Sequence, residues 1–176
     1  MINSLIILAL ITPWLAMLCY YDSLYRKLPN IMTLGGGIIV LVARFAIGYL
    51  PCFVDGVLGG IISGLFLIIP FLLRGAGGGD VKMIFAVGCI FGVGKVFDLL
   101  IYISFSGFFL VIFMLLVGMA NGSRLKHYFR SIFDWRYDRQ KGRESLPARD
   151  SESTRVPFGI AIAMGAWCVL LINIFY

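Results

Sequence analysis

Charge is scarce in this sequence: Asp, Glu, Lys and Arg make up only 14% of its 176 residues, against about a quarter in ordinary soluble domains. That excludes a soluble domain of this size. Histidine is scarcer still. His127 is the only one and lies in a basic stretch, which argues against a multi-histidine zinc site or a Ser-His-Asp arrangement. The four cysteines, Cys19, Cys52, Cys89 and Cys168, are far apart and form no C-x-x-C pair, so they read as small buried apolar residues rather than metal ligands. The first apolar block, 2–20, has neither a basic leading segment nor an A-x-A-like site after it. It is expected to remain as a span rather than to be removed as a signal peptide. There is no convincing internal repeat.

What the chain has in quantity is apolar residue: 60% of the sequence, with a mean hydropathy of +0.95. A hydrocarbon core of about 30 Å takes about 20 apolar residues per helix, and the apolar runs divide into blocks of that order. The expected fold is an all-α polytopic membrane protein, a single domain over 1–176 with about six transmembrane helices. The spans are read at 2–20, 31–50, 54–73, 81–94, 99–119 and 158–176. Of the 15 Lys and Arg, thirteen fall on the odd-numbered connections, which places those connections in the cytoplasm and both termini outside. Lys95 belongs to the other side, as does Arg44 if it snorkels outward.

The net charge of +6 is no sign of a nucleic-acid partner, because nine of the 15 basic residues lie between Arg124 and Arg155, among aromatic residues. A membrane-facing loop, 121–157, accounts for them. Within it Leu125, Tyr128, Phe129, Ile132 and Phe133 follow the spacing of one helical face, which predicts an interfacial helix over about 124–136. The run from Lys141 to Arg155 is polar and without apolar periodicity, as in a flexible linker.

Acids at membrane depth are costly and are the first candidates for function. Asp134, Asp138, Glu144, Asp150 and Glu152 belong to the loop, and Asp55 and Asp98 to the outer ends of spans, where a carboxylate reaches water. Asp22 and Asp80 remain, one closing the first span and the other opening the fourth, both on the cytoplasmic side. A fourth helix from Asp80 to about Lys95 is only roughly 22 Å long, which recesses Asp80 below the membrane boundary. Gly75 and Gly77 to Gly79 precede it, a segment able to take φ > 0 and to let a substrate backbone approach. It reads equally as a flexible turn before an acid that favours a helix N-terminus. Two carboxylates sharing a site cannot both ionise cheaply: one keeps a proton while the other deprotonates water. That is peptide hydrolysis without metal or cofactor.

Other features have plainer explanations. Gly60-x-x-x-Gly64 and Gly88-x-x-x-Gly92 are spacings that let membrane helices pack closely. Arg74 and Lys82 satisfy the charge rule, though either could stabilise an ionised Asp80. Pro29 and Asn30 set the turn into the second span.

The stretch Asp22-Ser-Leu-Tyr-Arg-Lys-Leu-Pro29-Asn30 and the stretch Gly77-Gly78-Gly79-Asp80-Val81-Lys82 together resemble the type IV prepilin peptidase family. The likeness is to its short, peptidase-only members associated with tight-adherence pili, and Pro157-Phe158-Gly159 is a weaker third similarity. The resemblance implies a G-x-G-D aspartyl protease of the bacterial inner membrane with Asp22 and Asp80 as catalytic residues. It also implies that Gly77, Gly78, Gly79, Lys82, Pro29 and Asn30 support the site or the substrate. The implied partners are the lipid bilayer and a prepilin or pseudopilin, cut at the cytoplasmic face. Leu24 and Leu28 depart from the family's usual Arg and Ile. The first cytoplasmic connection is too short for the cysteine-bearing loop of longer members, so no methyltransferase activity is expected. Rival readings are a presenilin-like intramembrane protease, a small proton-coupled transporter or channel, and a non-catalytic assembly factor.

Overall fold

The computed structural model describes residues 2–25, 28–72, 76–117 and 158–175. Among them it forms five helices: α1 (Ile2–Tyr25), α2 (Asn30–Leu72), α3 (Gly78–Phe91), α4 (Val93–Leu116) and α5 (Phe158–Phe175). The expected loop 121–157, with its interfacial helix, its linker and His127, lies outside the described residues, as do Arg26, Lys27 and Arg74.

As one rod the 43 residues of α2 would extend about 65 Å, twice the thickness of a hydrocarbon core. The rod is broken. Gly48 (φ −132°, ψ 19°) and Tyr49 (φ 54°, ψ −149°) leave helical geometry and divide α2 into two arms, 30–47 and 50–72. Pro51 falls at the start of the second arm, where a missing N–H has no intrahelical acceptor to lose. The arms stand where the sequence predicts its second and third spans.

The boundary between the expected fourth and fifth spans is different. Sequence reading leaves a polar connection around Lys95 and Asp98, whereas the chain passes from α3 to α4 through Gly92 alone. Its N–H closes α3 on the Gly88 carbonyl at 3.0 Å, and its φ of 68° suits glycine. Asp55 Oδ1 then accepts the N–H of Val93 at 3.0 Å, which caps α4 from another helix. With both ends satisfied in one residue no loop is needed, and Lys95 and Asp98 ride exposed on the first turns of α4.

Arg44 does not snorkel outward. Its Nε donates to the Cys52 carbonyl at 2.9 Å, its Nη1 to the Ile90 carbonyl at 2.9 Å, and its Nη2 pairs with Asp55. Asp55 is therefore more than a boundary acid: it and Arg44 tie the break in α2 to the α3–α4 turn.

The second arm of α2 lies on α3 through the small residues singled out in sequence. A Cβ on Gly60 would sit 2.6 Å from Cys89 Sγ, and one on Gly59 2.7 Å from the Gly88 carbonyl oxygen, so the backbones approach as only glycine permits. α5 packs against α1, α3 and α4. Ala161, Ile162, Ala163 and Ala166 are fully or almost fully buried, and a Cβ on Gly165 would lie 2.6 Å from the Ile103 side chain of α4.

Around this core the outer faces are apolar too. Ile39, Val42 and Ile47 of α2 and Phe97, Phe105, Phe109 and Phe113 of α4 are all exposed, a surface that water does not tolerate over such an area. Two described helices, α2 and α4, are long and apolar enough to cross a membrane.

Candidate active site

α1 turns one stripe inward, Leu15, Leu18 and Asp22, all buried and spaced as neighbours on one helical face. α3 does the same with Asp80, Met83, Ile84 and Val87. The apolar members of both stripes belong to a single core cluster that also includes Ile162 and Ala163 of α5. Each aspartate thus occupies a position that the helical period gives to the core.

Burial separates these acids from the rest. Among the described residues the buried polar side chains are Asp22 (5% exposed), Asp80 (8%), Thr33 and Ser63. Ser63 donates to the carbonyl four residues back at 2.8 Å and Thr33 to the Pro29 carbonyl at 3.3 Å, which is how hydroxyls satisfy themselves in helices. A carboxyl group has no such local remedy, so its burial marks a site of function or of strong fixed hydrogen bonding.

Both carboxylates are held by backbone N–H groups at helix starts. Asp80 Oδ2 accepts from Gly77 N at 2.8 Å, an acid in the first turn reaching back to the residue that caps its own helix. Asp22 Oδ2 accepts from Gly159 N, also at 2.8 Å, across 137 residues of sequence. The Cys19 thiol, one turn before Asp22 on α1, approaches the Gly159 carbonyl at 3.9 Å. Sequence reading has Asp22 closing the first span, but α1 continues to Tyr25, so Asp22 sits within its last turns.

The short link between α1 and α2 packs against the start of α3, the helix that carries Asp80. The Pro29 carbonyl accepts the N–H groups of Met32 and Thr33 at 3.0 and 3.1 Å and starts α2, as the turn reading of Pro29-Asn30 anticipates. Asn30 Oδ1 accepts from Lys82 Nζ of α3 at 2.8 Å, and a Cβ on Gly79 would stand 3.0 Å from that of Leu28. Six residues before Leu28, on the helix that ends in this link, is Asp22. Lys82 follows Asp80 by two. The end of α1 thus meets the start of α5 at Asp22, and the link that follows α1 meets the start of α3 at Leu28 and Asn30.

Gly77, Gly78 and Gly79 do not take up the positive φ open to them. Among the described residues the only glycine with positive φ is Gly92, and Gly77 is extended at φ −84°, ψ 155°. Their value is space. A side chain on Gly77 would press on Asp80 Oδ2 at 3.2 Å and one on Gly79 on Leu28, whereas Gly78 meets only Phe71 at an ordinary 3.6 Å. Gly78 is also exposed.

Lys82 and Asn30 give a testable latch. Asn30→Ala and Lys82→Met should each lower turnover only a fewfold, since an exposed hydrogen bond contributes about 0.5–1.5 kcal/mol. The double variant should be no worse than the singles, because they remove one contact. Additive losses in a steady-state assay would show that the two residues act separately.

The profile of the type IV leader peptidase family matches residues 9–118. The chain belongs to that family. Neither a curated protein nor a solved structure matches it. This leader peptidase relative is accordingly a peptidase and, with its two long apolar helices, a membrane protein. The matched stretch contains both aspartates, Pro29, Asn30 and the glycines, and it stops before α5. Gly159, whose N–H Asp22 accepts, lies beyond it. The sequence offers only the Pro157-Phe158-Gly159 similarity at that position, with nothing to say which acid it faces.

Proposed function

We propose that this protein is a membrane aspartyl endopeptidase that removes the leader of a type IV prepilin or pseudopilin at the cytoplasmic face, with Asp22 and Asp80 as the catalytic pair. The observation that carries the reading is the burial of these two acids, and no others among the described residues, on inward stripes of α1 and α3. In the proposed reaction one carboxylate takes a proton from water as the water attacks the scissile carbonyl. The other, protonated, hydrogen-bonds the carbonyl oxygen and then supplies a proton as the C–N bond breaks. Gly77 and Gly79, without side chains, let Asp80 Oδ2 and Leu28 come close against the start of α3, and the Lys82–Asn30 contact joins the starts of α2 and α3. The decisive assay incubates purified protein in detergent with candidate prepilins and reads the products by mass spectrometry. Cleavage at the leader junction supports the reading, and intact prepilin with well-folded protein overturns it.

The proposed arrangement is six spans, counting the two arms of α2 separately, in a bacterial inner membrane with both termini outside. The thirteen-to-two division of basic residues supports it. Introduced cysteines should therefore be labelled from outside near Phe53 and not near Ser145. External labelling at Ser145 in sealed cells would invert the topology and remove both aspartates from the cytoplasmic side.

A further inference from the structure

We infer that the backbone N–H of Gly159, at the start of α5, positions the Asp22 carboxylate for catalysis, which makes α5 part of the active centre although it lies outside the family-matched stretch 9–118. This rests on the proposed role of Asp22. Three observations carry it.

The first is the hydrogen bond, 2.8 Å from Gly159 N to Asp22 Oδ2, between two buried groups. The first N–H groups of an α-helix have no partner within the helix, and here one of them is directed at a buried acid. The bond fixes one carboxylate oxygen against the start of α5.

The second is space. A Cβ on Gly159 would lie 2.6 Å from Asp22 Oδ2, 3.0 Å from its Cγ and 3.1 Å from its Cβ. The carboxyl group occupies the volume that any other residue would need, so the close approach depends on glycine. Nothing about backbone conformation requires it: Gly159 is not among the positive-φ residues.

The third is the rigidity behind the donor. Gly159 is buried, and the Cys19 thiol of α1 meets its carbonyl, so α1 contacts both polar groups of this one peptide residue. Ala161, Ile162 and Ala163, in the first two turns of α5, are completely buried. A donor mounted on the buried start of α5 cannot follow Asp22 if the carboxylate drifts, and so it defines where the carboxylate rests.

Gly159→Ala is the test, with Gly165→Ala as its partner. Both add one methyl group to a crowded face of α5, but Gly165 meets Ile103 of α4 and not an acid. If Gly159 positions Asp22, Gly159→Ala should lower kcat at least tenfold with KM little changed, because the displaced group acts in the chemical step. Gly165→Ala should lower the unfolding temperature by a comparable or greater amount and leave kcat per folded molecule within about twofold. Equal kcat losses in the two variants, or losses that merely track the folded fraction, would overturn the inference. A readout independent of cleavage is the carboxyl carbon resonance of 13C-labelled aspartate, assigned to Asp22 by its disappearance in Asp22→Asn. It should shift in Gly159→Ala and stay in place in Gly165→Ala. Because this holds whether or not a prepilin is cut, failure of the proposed reaction and failure of the positioning role are separately visible.

Discussion

Asp22→Asn and Asp80→Asn should each insert and fold normally and each reduce prepilin cleavage by roughly a thousandfold or more. Asn preserves the size of the side chain and an oxygen that can still accept the N–H of Gly159 or Gly77, the bonds seen at 2.8 Å in both cases. What it loses is the exchangeable proton and the charge. The comparison therefore separates chemistry from architecture, which alanine would not. In a pair that works as one unit the losses do not add, so the double variant should be as inactive as either single one. The measurement is product formation by mass spectrometry, with thermal melts to show that the folded fraction is unchanged. Cleavage near the wild-type rate by either variant would refute the paired mechanism.

Much of this site is legible in the amino-acid sequence. Asp22 and Asp80 stand out because the other seven acids fall in the loop or at span ends, and the cost of an acid at membrane depth makes position informative. The spacings around Gly60 and Gly88 read directly as close packing for a similar reason: few residue types permit it. The α3–α4 turn is not legible, because its cap comes from Asp55, 38 residues earlier, and a long-range acceptor leaves no local mark. Gly159 is hidden in the same way. Pro157-Phe158-Gly159 is visible as a motif, but the acid that Gly159 serves lies at the other end of the chain. The glycine run before Asp80 reads both as backbone freedom and as absence of side chains; Gly77 to Gly79 do not use the first, and the second lets Asp80 and Leu28 come close.

Asp55 illustrates what such hidden contacts do to expectation. On sequence alone Asp55→Asn and Asp98→Asn are equivalent, both at the outer end of a span and both harmless to cleavage. In the structure Asp98 is exposed on α4, whereas Asp55 takes the Val93 N–H on one oxygen and Arg44 on the other. Arg44 in turn holds the Cys52 and Ile90 carbonyls. Removing the acid leaves a guanidinium without its counter-charge and the first turn of α4 without its cap. Side chains 22% and 40% exposed, for Arg44 and Asp55, are partly screened, so the cost falls below that of a fully buried pair. Asp55→Ala should cost about 2 kcal/mol, which lowers the melting temperature by about 4–8 °C for a chain of this length. Asp98→Asn should leave it within about a degree. Arg44→Met combined with Asp55→Ala should be less damaging than the sum of the two, because each alone strands the other charge. Turnover per folded molecule should stay near wild type in all of them, since Arg44 and Asp55 brace the break in α2 and the end of α3, whereas Asp80 lies where α3 begins and Asp22 in the last turn of α1. A thermal melt followed by the cleavage assay decides the matter, and a variant that melts normally yet fails to cleave would show that this brace reaches the active site.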